Sequence, residues 1–567
     1  MEQSKDIILQ EPTIFDTTLR EGFQTPGGIG ASLEERIYIA SLIQRYADWV
    51  ELGMPANNVD YDVISAIRDR FLQEKYPAGI AVLARCNQLD IERSAKVMKD
   101  YPNNMIHLFV GVSEEHRKNR FEKPKTPEEY KQDIKNNVEM AASSSTFLRV
   151  MYSPEDAYRA FRNDNELFIE FIGSAKEGYD AGNRVVGRKP PLVINLPDTV
   201  GCSTVNEFGE LVAKVKKAFG NSIELSVHCH NDSFEADSQV LNVYQMFGGK
   251  WIFQGTFGRL GERNGIASTD LMIKKFAERG YFKDSRIVHE ENLRELDPIT
   301  KAILWSLGRD APQEHLYRNN ISTSGIHTDI VRKDIKTYHF NGEKYGSGVE
   351  IELGPTSGTK QVINILEKYD IRYDKNRLES FTDNLKKISN ERKAPISLTE
   401  ILYEASIEFN GNDKNDGINV TKCEVATDVL SGKTKLNMQG HIDNKCFDEY
   451  HIHNGPVEAA MELLNRVINN HRGCNTEIKL ESYNSRIIHI IGKEYTNWEI
   501  GSKPKIPKEI GKNAHQAISL IFKNGDGERY HGWARHENST SSEILSVIDG
   551  MSKMYALQKW GVYKKAT

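Results

Sequence analysis

No stretch of this sequence comes near the roughly 20 consecutive apolar residues that a membrane-spanning helix needs, so nothing in it calls for a membrane. The opening residues, Met1-Glu2-Gln3-Ser4-Lys5-Asp6, also lack the basic and then apolar segments of a secretory signal, and a cytoplasmic location is the expectation. Cysteine is scarce: six are scattered over 567 residues with no CxxC pair, which argues against a disulfide framework or a zinc ribbon and leaves reduced thiols. Positive charge is not in excess either. The 74 lysines and arginines face 80 aspartates and glutamates, and a net charge of -6 gives no electrostatic footprint for nucleic acid.

What is present is an ordinary globular composition, 39% hydrophobic and 27% charged, in a chain long enough for two to four domains. Between Thr13 and about Thr256, short β-branched or aromatic runs alternate with charge-rich amphipathic stretches, the pattern of a parallel sheet with helical crossovers. Eight strands are predicted: Thr13–Leu19, Ala47–Gly53, Gly79–Arg85, Met105–Val112, Phe147–Tyr152, Leu192–Leu196, Ile223–His228 and Trp251–Thr256. Eight strand-helix units over about 250 residues match a (β/α)8 TIM barrel, whereas an open doubly wound sheet more often stops at roughly five to seven strands.

Barrel active sites lie at the C-terminal ends of the strands, and polar residues gather at those ends here. Arg20 and Glu21 close the first strand, Gly53-Met54-Pro55 follows the second, and Arg85 ends the third. Ser153-Pro154-Glu155-Asp156 follows the fifth, Asp198-Thr199 the sixth, and Gly258 to Gly265 the eighth. The seventh ends in His228-Cys229-His230. Residues i and i+2 of a strand share a face, so both imidazoles can be offered to one metal ion while Cys229 points away. Each feature alone has a plain structural reading: strand histidines bonded to backbone, Asp198 as a helix cap, Glu262-Arg263 as a surface ion pair. Their convergence on one rim favours a site.

The segments Asp16 to Gly22, Asp198-Thr199-Val200-Gly201, His228 to Asp232 and Arg259 to Arg263 together resemble the family of 2-isopropylmalate, homocitrate and citramalate synthases, metal-dependent barrels related to hydroxymethylglutaryl-CoA lyase. Beyond the barrel, Ser324 to Asp329 with Tyr338 resembles the family's second catalytic segment, and His453 to Ala459 resembles a segment of its C-terminal regulatory domain. The resemblance implies a TIM-barrel catalytic domain over residues 1–283, mainly helical linker subdomains over 284–412, and a C-terminal α+β regulatory domain over 418–567. The polar stretch Phe409 to Gly417 marks a hinge before that last domain. There, two strand-rich blocks each finish in an amphipathic helix, Val457–Asn470 and Ser541–Gln558.

The chemistry implied is a Claisen-type condensation, in which the methyl group of acetyl-CoA attacks the ketone of a 2-oxo acid and the CoA ester is then hydrolysed. By the same resemblance Glu21, His228 and His230 hold a divalent ion, Mg, Mn or Zn, and Arg20 stabilises charge on the ketone oxygen. His327 with Tyr338 acts as base and acid, and Glu155 is a further acid-base or positioning group. His107, Met151, Ser153 and Thr199 contact the 2-oxo acid. A homodimer is implied, with the segment around His327 reaching the neighbouring active site, and an amino acid, leucine, is the implied effector of the C-terminal domain.

Departures from the family pattern bear on the substrate. Arg20-Glu21-Gly22 and Glu262-Arg263-Asn264-Gly265-Ile266 are closer to homocitrate synthases, and Ile266 stands where many isopropylmalate synthases place a ligand asparagine. Against that, Met151 stands where the homocitrate branch has an arginine for the distal carboxylate of 2-oxoglutarate, which favours an apolar acid such as 2-oxoisovalerate. Arg149, one step deeper on the same strand face, could replace that arginine and keeps the homocitrate reading open. Ser233-Phe234-Glu235-Ala236-Asp237 replaces the usual small apolar residues and leaves a specialised substrate open. A lyase running the reverse reaction and a catalytically inactive, metabolite-sensing barrel are the other readings; intact Arg20, Glu21, His228, His230 and His327 oppose the second.

Overall fold

The computed structural model describes residues 11–25, 31–56, 58–119, 125–187, 189–247, 251–282, 285–307, 321–322, 342–345, 350–351, 353, 358–392, 396–473, 477–489, 514–536 and 538–562. The chain divides into two units, Met1–Asn320 with Asn341–Gly348, and Ile321–Phe340 with Val349–Thr567. No described helix is long and apolar enough to cross a membrane.

The first unit is the expected TIM barrel. Strands β1 (Thr13–Asp16), β2 (Trp49–Glu51), β3 (Gly79–Arg85), β4 (Asn104–Gly111), β5 (Arg149–Glu155), β6 (Val193–Asp198), β7 (Glu224–Cys229) and β8 (Trp251–Gly255) pair in sequence order, and β1 closes the ring on β8. The pairings are parallel throughout. Around them run α1 (Leu33–Ile43), α2 (Asn58–Glu74), α3 (Gln88–Val97), α4 (Glu114–Asn119), α5 (Pro127–Ser143), α6 (Ala157–Asn163), α7 (Asn165–Val186), α8 (Val205–Phe219), α9 (Ala236–Phe247) and α10 (Thr269–Glu278), followed by α11 (Glu290–Ser306). Local sequence starts several of these helices: Ser32 with Glu35, Thr126 with Glu129, and Thr204 with Glu207 are reciprocal capping boxes. Strand ends differ from the sequence pattern where tertiary pairing decides them. β1 stops at Asp16, whereas β5 continues through Glu155 because Gly111 of β4 still pairs with it.

Strand alternation splits the apolar side chains into two groups. Ile14, Val50, Ile80, Ile106, Val150, Ile194, Val227 and Phe253 point outward and join the core beneath the helices. Phe15, Trp49, Ala81, Met105, Met151, Val193 and Ile252 point inward and form a separate apolar layer inside the barrel. Gly79 makes room for Trp49 in that layer, since a Cβ there would lie 2.5 Å from the indole.

In the second unit, the short strands β9 (Ile321–Ser322) and β10 (Glu350–Ile351) pair in parallel, and helices α12 (Thr359–Lys368), α13 (Lys375–Arg392) and α14 (Leu398–Asn410) follow. Two three-stranded antiparallel sheets come next, β11 (Ile418–Thr427), β12 (Lys433–Ile442) and β13 (Lys445–Asn454), then β14 (Lys479–His489), β15 (Ala514–Lys523) and β16 (Arg529–His536). Each sheet is followed by one long helix, α15 (Pro456–Arg472) and α16 (Ser539–Lys559), which is the duplication read from sequence. Leu366, Leu385 and Leu402 of α12 to α14 share one core with both sheets and both helices. The polar stretch before β11 is a tied bend: Lys559 Nζ and Trp560 Nε1 bond Asp416 at 2.7 and 2.9 Å, and Ile418 N bonds Ser552 Oγ at 2.9 Å.

Candidate active site

The chain turns sharply after β1, with the N–H groups of Arg20 and Glu21 both donating to the Thr17 carbonyl (3.0 and 2.8 Å), and this carries two consecutive charged side chains into the barrel mouth. Glu51, at the end of β2, receives them. Its Oε2 accepts Arg20 Nε at 2.7 Å and Thr17 Oγ1 at 2.6 Å, and its Oε1 lies 2.7 Å from His107 Nδ1. Arg20 Nη1 also bonds Glu21. With Nδ1–H donated to a carboxylate, His107 Nε2 can accept the Ser153 hydroxyl proton at 2.7 Å, while Ser153 Oγ accepts Asn195 Nδ2 at 2.7 Å. The result is a continuous polar chain from the turn after β1 through residues of β2, β4, β5 and β6. Burial alone would raise the Glu51 pKa, but Arg20 and His107 hold it well below the usual carboxylate range.

Beside this chain lie Glu21, His228 and His230, all buried, with ligand atoms within 4.8 Å of one another. Gln254 Oε1 accepts from His228 Nδ1 at 2.9 Å, which leaves Nε2 with its lone pair. Burial depresses both imidazole pKa values, to about 3 for His228 and about 4 for His230, so the rings stay neutral at physiological pH. Burial pushes Glu21 the other way, yet Arg20 leads the interactions that keep its pKa low, helped by the Glu262 N–H at 3.1 Å. His230 Nδ1 is buried without a hydrogen-bond partner. One anionic carboxylate, two neutral imidazoles and an orphaned ring nitrogen fit a divalent ion. Cys229 points into the outer core, away from the cluster.

Other residues singled out in the sequence fall into distinct places. Glu155 closes β5, half-buried and within electrostatic reach of Arg20. Asp156 follows in the left-handed region (φ 63°), donates its N–H to Thr199 Oγ1 at 2.8 Å, and is gripped by His116 at 3.1 Å and Arg159 at 2.8 Å. Burial works against its charge, but these partners hold its pKa at about 2. Asp198 organises its own loop, accepting Ser203 Oγ at 2.5 Å and Gln239 Nε2 at 3.2 Å. Arg85 pairs with Asp90 at 2.7 Å as a half-exposed ion pair. Arg263 binds Asp232 (2.8 and 2.9 Å) and the Thr199 carbonyl (2.6 Å) more closely than Glu262. Ile266, fully buried, bridges to His230 in antiparallel fashion and so shares its face.

Met151 lies in the inward apolar layer, with its Sδ 3.2 Å from Gln254 Nε2. Arg149 is not free to replace an arginine there, because its Nη2 bonds Glu224 Oε2 at 2.5 Å. His327 and Tyr338 lie outside the described residues. Sequence reasoning missed Glu51, Asn195 and Gln254. Each is the one polar side chain of inward parity in its strand, and that was the available signal.

Residues 11–303 match the HMGL-like family. A 2-isopropylmalate synthase of Pyrococcus abyssi is 30% identical over 482 residues, covering 83% of this chain and 91% of its own. Another, from Sediminispirochaeta smaragdinae, is 29% identical over 552 residues, covering 95% and 98%. The solved HMG-CoA lyase of Bacillus subtilis is 20% identical, covers 54% of this chain and 97% of its own, and superposes with a TM-score of 0.41. The family match spans more than half of the chain and the synthase relatives span most of it: the chain belongs to the HMGL-like family, alongside 2-isopropylmalate synthases.

Proposed function

We propose that the protein is an acyltransferase of the 2-isopropylmalate synthase type, which joins the methyl carbon of acetyl-CoA to the ketone carbon of 2-oxoisovalerate and releases CoA when water cleaves the resulting thioester. The observation that carries this reading is the buried Glu21, His228 and His230 cluster beside a fixed Arg20 at the C-terminal mouth of the barrel. A divalent ion, Mg, Mn or Zn, supplies Lewis-acid polarisation of the ketone when bound by those three residues.

The remaining steps rest on the chain's own groups. Glu51 and Glu21 fix the Arg20 guanidinium at Nε and Nη1, so a positive charge stands preorganised where negative charge grows on the ketone oxygen. Thr199 Oγ1 accepts the Asp156 N–H and keeps its own proton to donate to a substrate carboxylate, with His107 and Ser153 forming the adjoining polar wall. His327, Tyr338 and Glu155 are assigned to moving the methyl proton and the product proton. Met151 offers an apolar floor and Arg149 is already neutralised by Glu224, so a second substrate carboxylate would be buried without a cation. That costs several kcal/mol and favours 2-oxoisovalerate over 2-oxoglutarate.

To residues 418–567 we assign regulation by an amino acid, leucine for this product, with residues 1–283 as the catalytic domain, 284–412 as linker and a cytoplasmic homodimer as the working form. The duplicated sheet-helix blocks support the regulatory assignment. The test is release of free CoA thiol from acetyl-CoA and 2-oxoisovalerate. Turnover should require a divalent ion and vanish with a chelator or in His230→Ala. A folded, metal-loaded protein that releases no thiol with any 2-oxo acid would overturn the reading.

A further inference from the structure

In the second unit, β13 carries His451 and His453 with Ile452 between them, and strand parity puts both imidazoles on the face toward α15. Glu462 of α15 reaches back to both: its Oε2 lies 2.7 Å from His451 Nε2 and its Oε1 3.3 Å from His453 Nε2. The rings are nearly parallel, 18° apart in tilt, with centroids 6.1 Å apart. Their cross-strand partners Leu436 and Thr434 are fully buried and close the lower side, while the three side chains stay 24%, 35% and 54% exposed. His453 Nδ1 is buried with no hydrogen-bond partner. Glu449, the next residue on this face, is paired with Arg466 at 3.4 Å.

We propose that His451, His453 and Glu462 form a second metal site, for a transition ion such as zinc, nickel or copper. Two imidazoles spaced i and i+2 on a strand, with a carboxylate already within hydrogen-bond or ion-pair distance of both, form a chelating donor set. An ion takes the place of the proton that His451 and Glu462 share, and the open side admits water to complete its shell. Among the described residues only the barrel cluster has three ligand atoms within 4.8 Å, so binding must draw the rings together. Rotation of the part-exposed His453 ring supplies that movement. Imidazole nitrogen favours zinc, nickel and copper over magnesium or calcium, which prefer oxygen. The ion would staple the end of β13 to α15 across the Asn454-Gly455 turn, where Gly455 has φ of 90°.

The experiment is equilibrium dialysis of the full chain against zinc, with the bound metal measured by elemental analysis. Wild type should retain two ions per chain, the His451→Ala/His453→Ala variant one, and His230→Ala one, since it loses only the barrel ion. Glu462→Gln, which can still hydrogen-bond to the rings, should also fall to one and guards against a folding artefact. The proposal is overturned if wild type saturates at one ion, or if the double variant retains as many as wild type. A wild-type chain that binds one ion, lost in His230→Ala, would refute this site and leave the barrel centre standing.

Discussion

Glu51 answers Arg20, Thr17 and His107 with one fully buried carboxylate, so its loss cannot be absorbed locally. Glu51→Ala takes from the nearly buried Arg20 guanidinium one of its two bonded carboxylates and leaves the His107 Nδ1–H without its acceptor, and denaturant unfolding should show a loss of about 3–5 kcal/mol. Turnover should also drop by about 100-fold or more as Arg20 loses its alignment; unchanged stability and rate would contradict the role given to Glu51. Asp16 titrates in the opposite sense. Burial raises its pKa from 3.8 to about 7 despite hydrogen bonds from Thr269 Oγ1 (2.7 Å) and Thr18 N (2.9 Å). The folded state therefore holds more protons than the unfolded state between about pH 4 and 7, and this group's contribution weakens as pH rises through that window. Asp16→Asn should flatten that part of the stability-pH curve, and an unaltered slope would refute the assignment. His228 and His230 were legible as a pair because strand parity is a local fact, whereas Glu21 entered through the family resemblance and is brought beside them by the turn after β1. Glu51 was not, since a carboxylate at a strand end reads as solvated until barrel closure sets His107 against it.

Elements were legible where a repeating pattern defines them and illegible where a neighbour does. All eight barrel strands and both C-terminal long helices follow from alternation and amphipathicity, but β1 ends early because the chain turns at Thr17, whose carbonyl accepts the N–H groups of Arg20 and Glu21. The approach of α16 to β16 is likewise invisible in sequence. A Cβ on Gly532 would lie 1.9 Å from the Ser546 carbonyl oxygen, and one on Gly550 2.5 Å from the Phe522 ring. Gly532→Ala should thus force the helix off its sheet at a cost of about 1–3 kcal/mol or more, seen as a lower melting temperature of the full chain. Melting at the wild-type temperature would mean that the contact is not so tight in solution.

At the scale of the whole molecule, the polar stretch before β11 reads as a hinge because its composition is that of a solvent-facing bend. Whether a bend separates units depends on what packs across it, and here α14 packs against α16 and β16, with His531 N bonded to Thr399 Oγ1 at 3.0 Å. A chain ending at Gly417 would uncover Ile401, Leu402 and Ala405, so it should bind apolar dyes and lose cooperative melting of α12 to α14. Retention of a sharp transition would show that those helices stand without the sheets. The substrate assignment rests on the whole barrel interior, from the rim ligands down to Met151 and the Arg149 to Glu224 pair. The most direct measurement gives the protein acetyl-CoA with equal amounts of 2-oxoisovalerate and 2-oxoglutarate and identifies the product by mass spectrometry. Isopropylmalate should dominate; homocitrate as the main product would contradict the apolar floor and require a cation that this barrel keeps paired.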